Sequence, residues 1–133
     1  MLKILKPKIT FLATAQLFLS LSFLFGTWVL YIPYTIEKLG MTKSELGITL
    51  FFGSIGALTA TFIGKTLVNK YGEGKMSFIS ILFKTFCMTM VFASPNYIWL
   101  TLFFTLWGVG SGVLQIAINA TVNSIEKQQK ISI

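Results

Sequence analysis

Residues 9–36 read ITFLATAQLFLSLSFLFGTWVLYIPYTI, a stretch of 28 residues that carries no charge. An α-helix rises about 1.5 Å per residue, so roughly 20 apolar residues cross the ~30 Å hydrocarbon core of a bilayer. A run of this length cannot be buried inside a soluble domain of 133 residues. It therefore predicts a helix whose solvent is lipid.

Three further spans follow from the same reasoning. Residues 46–64 are uncharged, and Lys84 is the only charge between residues 76 and 125. Ser94-Pro95-Asn96 divides this last run in two, because proline lacks an N–H donor and disfavours helical backbone in the residue before it. We therefore predict an all-α membrane protein with four transmembrane helices, at residues 9–34, 45–68, 76–94 and 97–124.

The lysines that flank these spans predict the orientation. Eight lie on one side of the membrane: Lys3, Lys6, Lys8, Lys65, Lys70, Lys75, Lys127 and Lys130. The other side has Lys38 and Lys43. By the positive-inside rule both termini, residues 1–8 and 125–133, are cytoplasmic in a multi-pass protein of the cell membrane. The net charge of +7 is then explained by the bilayer, and no nucleic-acid partner is expected.

The composition argues against an enzyme. The chain has no His, Asp or Arg, and its four acidic residues are all Glu outside the apolar runs. A Ser-His-Asp triad or a His-based metal site therefore cannot be built. We expect no catalytic residue, no metal and no cofactor.

Two spans have a polar face. On a helical wheel the first span places Gln16, Ser20, Thr27, Tyr31 and Tyr34 on one narrow arc. The fourth span does the same with Tyr97, Thr101, Thr105, Gly108, Gly112, Gln115, Asn119, Asn123 and Glu126. Such stripes serve either hydrogen bonding between helices or a path for a solute. Because the stripe is continuous and occurs on two helices, the solute path is favoured.

The second and third spans differ from these. A small-residue face of Gly53, Gly56, Ala57, Ala60 and Gly64 on the second span predicts close helix packing. Thr42 and Glu45 have the spacing of a capping box at its start. On the third span Lys84 lies near the membrane midplane, on one face with Ser77, Ser80 and Cys87. Its charge either reaches the interface by snorkelling or has a partner inside the bundle.

The segment Gly64–Lys75, GKTLVNKYGEGK, resembles the signature loop of the major facilitator superfamily, roughly G-x-L-x-D-R-x-G-R-R. Asn69 stands where the family has an acid, and Gly64 lies one place early. Residues 25–47 and 108–126 are similar to the first hairpin and fourth helix of the fucose-permease-like branch. That branch often has an acid at the position of Gln115 and a basic residue at that of Tyr31.

The resemblance implies twelve helices built from three-helix repeats. The chain would be an N-terminal fragment comprising one repeat and the first helix of the next, with a truncated C-terminal tail. It implies a secondary transporter that moves a small polar solute, with a sugar as the candidate, by alternating access. Its partners would be the solute, the bilayer and the missing helices. The implied substrate-binding residues are Gln16, Ser20, Trp28, Tyr31, Gln115 and Asn119. The implied cytoplasmic latch comprises Gly64, Asn69, Lys70, Gly72, Lys75 and Glu126.

A different class of protein remains open. A complete small four-helix protein, either a small multidrug-type exporter or a non-transporting accessory subunit, has the same length and helix count. The exporter class relies on a membrane-embedded Glu in its first helix, and the first span has none. In an accessory subunit the polar stripes would be docking faces.

Overall fold

A computed structural model describes residues 2–130 of the chain. These residues form four α-helices and no strand: α1 (Leu2–Leu39), α2 (Lys43–Tyr71), α3 (Glu73–Ala93) and α4 (Tyr97–Lys130). Each helix contains a segment that is long and apolar enough to cross a membrane. The predicted fold class, an all-α membrane protein with four spanning helices, is confirmed.

The helices are longer than the spans that we predicted from charge alone. Residues 2–8, predicted as an N-terminal segment, continue α1, and residues 125–130 continue α4. The predicted ends of the chain at residues 1 and 131–133 lie outside the described residues. The difference arises because we ended each predicted span at the charged residues, whereas the helical backbone continues through them.

The turn between α1 and α2 is fixed by backbone and side-chain hydrogen bonds. Gly40 has φ 60°, a left-handed conformation that favours glycine, and the Met41 N–H donates to the Ile36 carbonyl at 3.0 Å. The Thr42 N–H then donates to Glu45 Oε2 at 2.7 Å, and the Glu45 N–H donates to Thr42 Oγ1 at 3.2 Å. The predicted capping box is confirmed.

A single residue, Gly72, joins α2 to α3. Its φ of 87° lies in the region that side-chain-bearing residues rarely adopt. Its N–H donates to the Val68 carbonyl at 2.9 Å, and its carbonyl accepts from the Met76 N–H at 3.1 Å. Gly72 thus ends one helix and begins the next, so the segment that we expected to be a loop is almost entirely helical.

The predicted break at residues 94–96 separates α3 from α4. Ser94 has extended backbone, as expected before proline. At the start of α4, Asn96 Oδ1 accepts from the Trp99 N–H at 3.1 Å, which satisfies one of the free donors of the first turn.

The fourth helix is the centre of the bundle, because α2 and α3 both pack chiefly against it. The small-residue face of α2 lies directly on α4. A Cβ atom added to Gly56 would collide with the Thr105 carbonyl, and one added to Gly108 would collide with the Gly53 carbonyl. The predicted packing role of this face is therefore confirmed, and glycine is required on both helices.

The first helix is held much more loosely. Only 6% of the most apolar, membrane-spanning stretch of α1 is buried inside the bundle, whereas 44% of the corresponding stretch of α4 is buried. Its main anchor is Trp28, which is 0% exposed and packs on Phe104, with ring centroids 5.0 Å apart. Most of this segment of α1 is therefore available to lipid or to other protein.

Candidate functional site

The polar stripe of α4 divides into a buried part and an exposed part. In the half that starts at Tyr97, Thr101 Oγ1 and Thr49 Oγ1 of α2 are hydrogen-bonded at 2.9 Å. About two and three turns further along, Gly108 and Gly112 are buried against α2. This half of the stripe serves helix packing and interhelical hydrogen bonding, which is the interpretation that the sequence favoured less.

The other half of the stripe faces outward. Gln115 and Asn119 are both exposed, and they lie one turn apart on α4 because residues four apart share a helix face. They line a groove of about 560 Å³ between α2 and α4. The groove is completed by Ser54, Ala57, Leu58, Thr61, Gly112 and Ile116.

The groove combines apolar surface with polar groups, none of which is charged. Each primary amide offers two donors and an acceptor. The hydroxyls on the α2 wall donate inside their own helix, from Ser54 to the Leu50 carbonyl at 3.0 Å and from Thr61 to the Ala57 carbonyl at 3.2 Å. Their oxygens can still accept. The groove therefore offers uncharged hydrogen-bond donors and acceptors beside apolar surface.

The predicted binding residues of α1 lie in a different place. Exposed Gln16 and half-buried Ser20 line a second groove of about 420 Å³. The Ser20 hydroxyl donates to the Gln16 carbonyl at 2.9 Å. No residue lines both this groove and the one on α4. The structure brings Gln16 together with Ser20, and Gln115 together with Asn119, without joining the two pairs.

The predicted aromatic contacts of α1 lie nearer its C-terminal end. Tyr31 is 46% exposed, and its ring meets that of Phe92 edge-on at 4.9 Å between centroids. Trp28 is fully buried between Phe92 and Phe104. Its indole therefore packs on protein in this structure and presents no free face for a solute to stack upon.

The predicted latch residues are spread over the α2–α3 junction. Exposed Asn69 and Lys70 lie in the last turn of α2, and exposed Lys75 lies in the first turn of α3. The ammonium groups of Lys70 and Lys75 lie 5.4 and 6.0 Å from the centroid of the Tyr71 ring. Gly64 is buried instead, and an added Cβ would lie 2.7 Å from Ile116 Cδ1, so its position is one of helix packing.

The acid that bridges two helices at this end is Glu73. Its Oε1 accepts a hydrogen bond from Ser124 Oγ of α4 at 2.7 Å. Glu126, which we expected to face the lysines, is exposed, and no carboxylate lies within 4.0 Å of a lysine ammonium among the side chains of residues 15–127. Glu73 was missed by sequence reasoning. The available signal was an acid at the start of α3 opposite a serine near the end of α4.

Lys84 is buried inside the bundle, with 1% of its surface exposed. Its ammonium lies 5.3 Å from the ring centroid of Trp107 on α4. The side chain therefore does not snorkel to the interface, and its neighbour is an aromatic ring rather than an acid. Within the described residues no cluster of three or more His, Cys, Asp or Glu could hold a metal ion.

Comparisons with known proteins agree with this architecture. The family model described as Major Facilitator Superfamily matches residues 2–130. Membrane protein MosC of Rhizobium meliloti is 24% identical over 120 residues, which cover 90% of this chain and 30% of that protein. Glucose/mannose transporter GlcP of Bacillus subtilis (strain 168) is 19% identical over 106 residues, covering 76% of this chain and 26% of that protein. The chain thus spans less than a third of the length of these curated relatives. No solved structure matches it significantly.

Proposed function

This chain belongs to the major facilitator superfamily, and on that premise we propose that it is the N-terminal part of a secondary transporter. The proposed cargo is a small polar solute, with a sugar as the candidate, moved across the cell membrane by alternating access. The proposal is one of transport and includes no catalytic reaction.

The observation that carries the proposal is the uncharged groove on α4, which is lined by both polar and apolar groups. Polar side chains in a membrane helix are costly unless they face protein or water. Gln115 and Asn119 nevertheless stand exposed beside a groove of about 560 Å³. Its polar groups are all neutral amides and hydroxyls, while Leu58 and Ile116 give it an apolar wall. This combination matches a sugar, which has both hydroxyls and C–H faces. The name of the relative GlcP, a glucose/mannose transporter, points the same way.

In this proposal the cavity is completed by helices beyond those described. The relatives are more than three times as long as the matched region, and a transporter of this kind needs an opposing half. Gln16, Ser20 and Tyr31 of α1 would reach the solute as α1 moves toward α4. The small buried fraction of α1 leaves it free to do so, with Trp28 as its anchor.

We place both termini in the cytoplasm, as the lysine distribution favours. Asn69, Lys70 and Lys75 would then form a cytoplasmic latch against the opposing half. Within this chain, Glu73 braces the latch by its hydrogen bond to Ser124. Since Asn69 replaces an acid of the family signature, the latch lacks one charge-assisted contact and should hold more weakly.

Uptake of radiolabelled glucose and mannose by cells tests the proposal, using the chain in a version that includes the remaining helices. The double variant Gln115→Ala/Asn119→Ala should lower uptake at least about tenfold, the ratio that corresponds to about 1.4 kcal/mol. Asn123→Ala is the matched control, because Asn123 is an exposed asparagine one turn further along α4 and does not line the groove. Unchanged uptake by the double variant, at equal membrane expression, would refute the assignment of the groove.

A further inference from the structure

Three buried side-chain polar atoms in the described part of the chain have no hydrogen-bond partner: Trp28 Nε1, Trp107 Nε1 and Ser111 Oγ. Leaving a buried polar group unpaired costs about 1–3 kcal/mol. Hydroxyls in these helices commonly avoid that cost by donating to a carbonyl one turn back, as Ser77 and Thr121 do at 2.9 and 3.0 Å. Ser111 does not.

Two of these atoms belong to the surroundings of Lys84. Trp107 and Ser111 are one turn apart on α4 and so share a face. The Lys84 ammonium lies 5.3 Å from the Trp107 ring centroid. The Cα and Cβ atoms of Lys84 lie 3.5 Å from where a Cβ on Gly110 would be, beside Ser111. The lysine and the indole therefore lie together at the α3–α4 interface, and the hydroxyl is one helical turn along α4 from the indole.

What these groups have in common is that each can donate a hydrogen bond. An ammonium has three donors and no acceptor, an indole has one donor, and a hydroxyl can donate or accept. Cation–π attraction to Trp107 offsets part of the cost of burying the charge, by roughly 0.5–2 kcal/mol, but supplies no acceptor. The cluster thus has an excess of donors and an uncompensated positive charge.

No carboxylate among the residues that the structure describes can meet that need. The four Glu residues, Glu37, Glu45, Glu73 and Glu126, all lie near helix ends. Lys84 is 11 residues from the start of α3 and 9 from its end, so it lies about 17 Å and 14 Å from those ends. A second copy of the chain in the same membrane would also carry its Glu residues near the helix ends, far from the depth of Lys84.

We propose that Lys84, Trp107 and Ser111 form a binding site for one small monovalent anion, a halide or a short carboxylate. One ammonium balances one negative charge, while the indole N–H and the hydroxyl supply oriented donors. Access is from the side of α1, which covers the site through Phe25, stacked on Trp107 at 6.1 Å between centroids. The site shares no residue with the groove on α4, so it does not rest on the proposed function.

Iodide is a suitable probe, because it is a monovalent anion that quenches tryptophan fluorescence on contact. The chain has three Trp, and the variant Trp28→Phe/Trp99→Phe leaves Trp107 as the only emitter. In nanodiscs of zwitterionic lipid at constant ionic strength, iodide should quench Trp107 along a saturating curve. Formate should reverse the quenching by competition. Trp107 is 8% exposed, so collisions from bulk solvent alone would give weak quenching without saturation.

Lys84→Met in the same background is the matched variant, since it keeps an unbranched side chain and removes the charge. It should raise the half-saturating iodide concentration at least about tenfold, equivalent to about 1.4 kcal/mol. Ser111→Ala should raise it less. Acrylamide, a neutral quencher, should quench Trp107 equally in the background protein and in the Lys84→Met and Ser111→Ala variants. Circular dichroism verifies that each of these proteins is helical. Non-saturating iodide quenching, or equal quenching with and without Lys84, would overturn the proposal.

Discussion

Replacing Gly112 by alanine tests the idea that α2 and α4 are held together by their close backbone approach. A Cβ atom on Gly112 would lie 2.6 Å from the Ala60 Cβ and 2.7 Å from the Ala57 carbonyl oxygen. The carbonyl belongs to the backbone of α2 and cannot rotate away. To restore an ordinary contact of 3.4 Å from 2.7 Å, the helices must separate locally by about 0.7 Å.

The cost can be isolated by comparison with a second glycine of the bundle. Overpacking a well-packed interface costs about 1–3 kcal/mol, whereas replacing a helical glycine by alanine gains about 0.5–1 kcal/mol. Gly47 lies in α2, and a Cβ added there would have nothing within 4 Å. Gly47→Ala should therefore gain stability from the better helix former without any steric clash. The two variants should differ in free energy of unfolding by about 1–3 kcal/mol, with Gly112→Ala the less stable.

Unfolding in mixed detergent micelles, titrated with SDS and followed by circular dichroism, measures this difference. The expected order of midpoints is Gly112→Ala lowest, wild type in the middle and Gly47→Ala highest. If Gly112→Ala unfolds at the same SDS fraction as Gly47→Ala, the close approach seen between the helices does not limit stability, and the reasoning is refuted.

Further predictions concern contacts between helices and the chain as a whole. Thr101→Val should lower the free energy of unfolding by about 0.6 kcal/mol by removing its bond to α2, while Thr89→Val, whose exposed hydroxyl bonds within α3, should have little effect in the same SDS titration. Thr42→Ala should cost about 0.5–2 kcal/mol through loss of the capping box; an unchanged midpoint would contradict this. Ser124→Ala should speed hydrogen exchange in the first turn of α3 by freeing Glu73, and unchanged exchange would show that the brace is not limiting. The 133-residue chain alone should give no glucose flux in liposomes, since the proposed cavity needs an opposing half, and measured flux would favour a complete small transporter.

The fold could be predicted because its determinants are local. Uncharged runs, one proline between two of them, and the capping residues Thr42 and Glu45 each act within a few positions of the chain. The small face of α2 was predicted for the same reason, since residues four apart share a helix face. The exact helix ends could not be predicted, because charged residues are compatible with both a flank and a continuing helix, and only the backbone of Gly72 decides where α2 stops.

The site was less predictable, because periodicity identifies a polar face without identifying what the face meets. Thr101 and Gln115 share one stripe, yet the first bonds to Thr49 of α2 and the second lines a groove. That difference depends on how the two helices face each other at each level, which is a tertiary property. The burial of Trp28 and the bond between Glu73 and Ser124 likewise depend on pairs of residues far apart in the sequence.

The one-residue link at Gly72 also constrains how the chain can be synthesised. Neighbouring Cα atoms are about 3.8 Å apart, so α2 cannot settle in the bilayer and leave α3 behind in the aqueous channel through which it arrives. We therefore expect the two helices to leave the insertion machinery together, as one hairpin. Any epitope or protease site placed at this junction would break the hairpin, whereas the turn at residues 94–96 offers three non-helical residues for such an insertion.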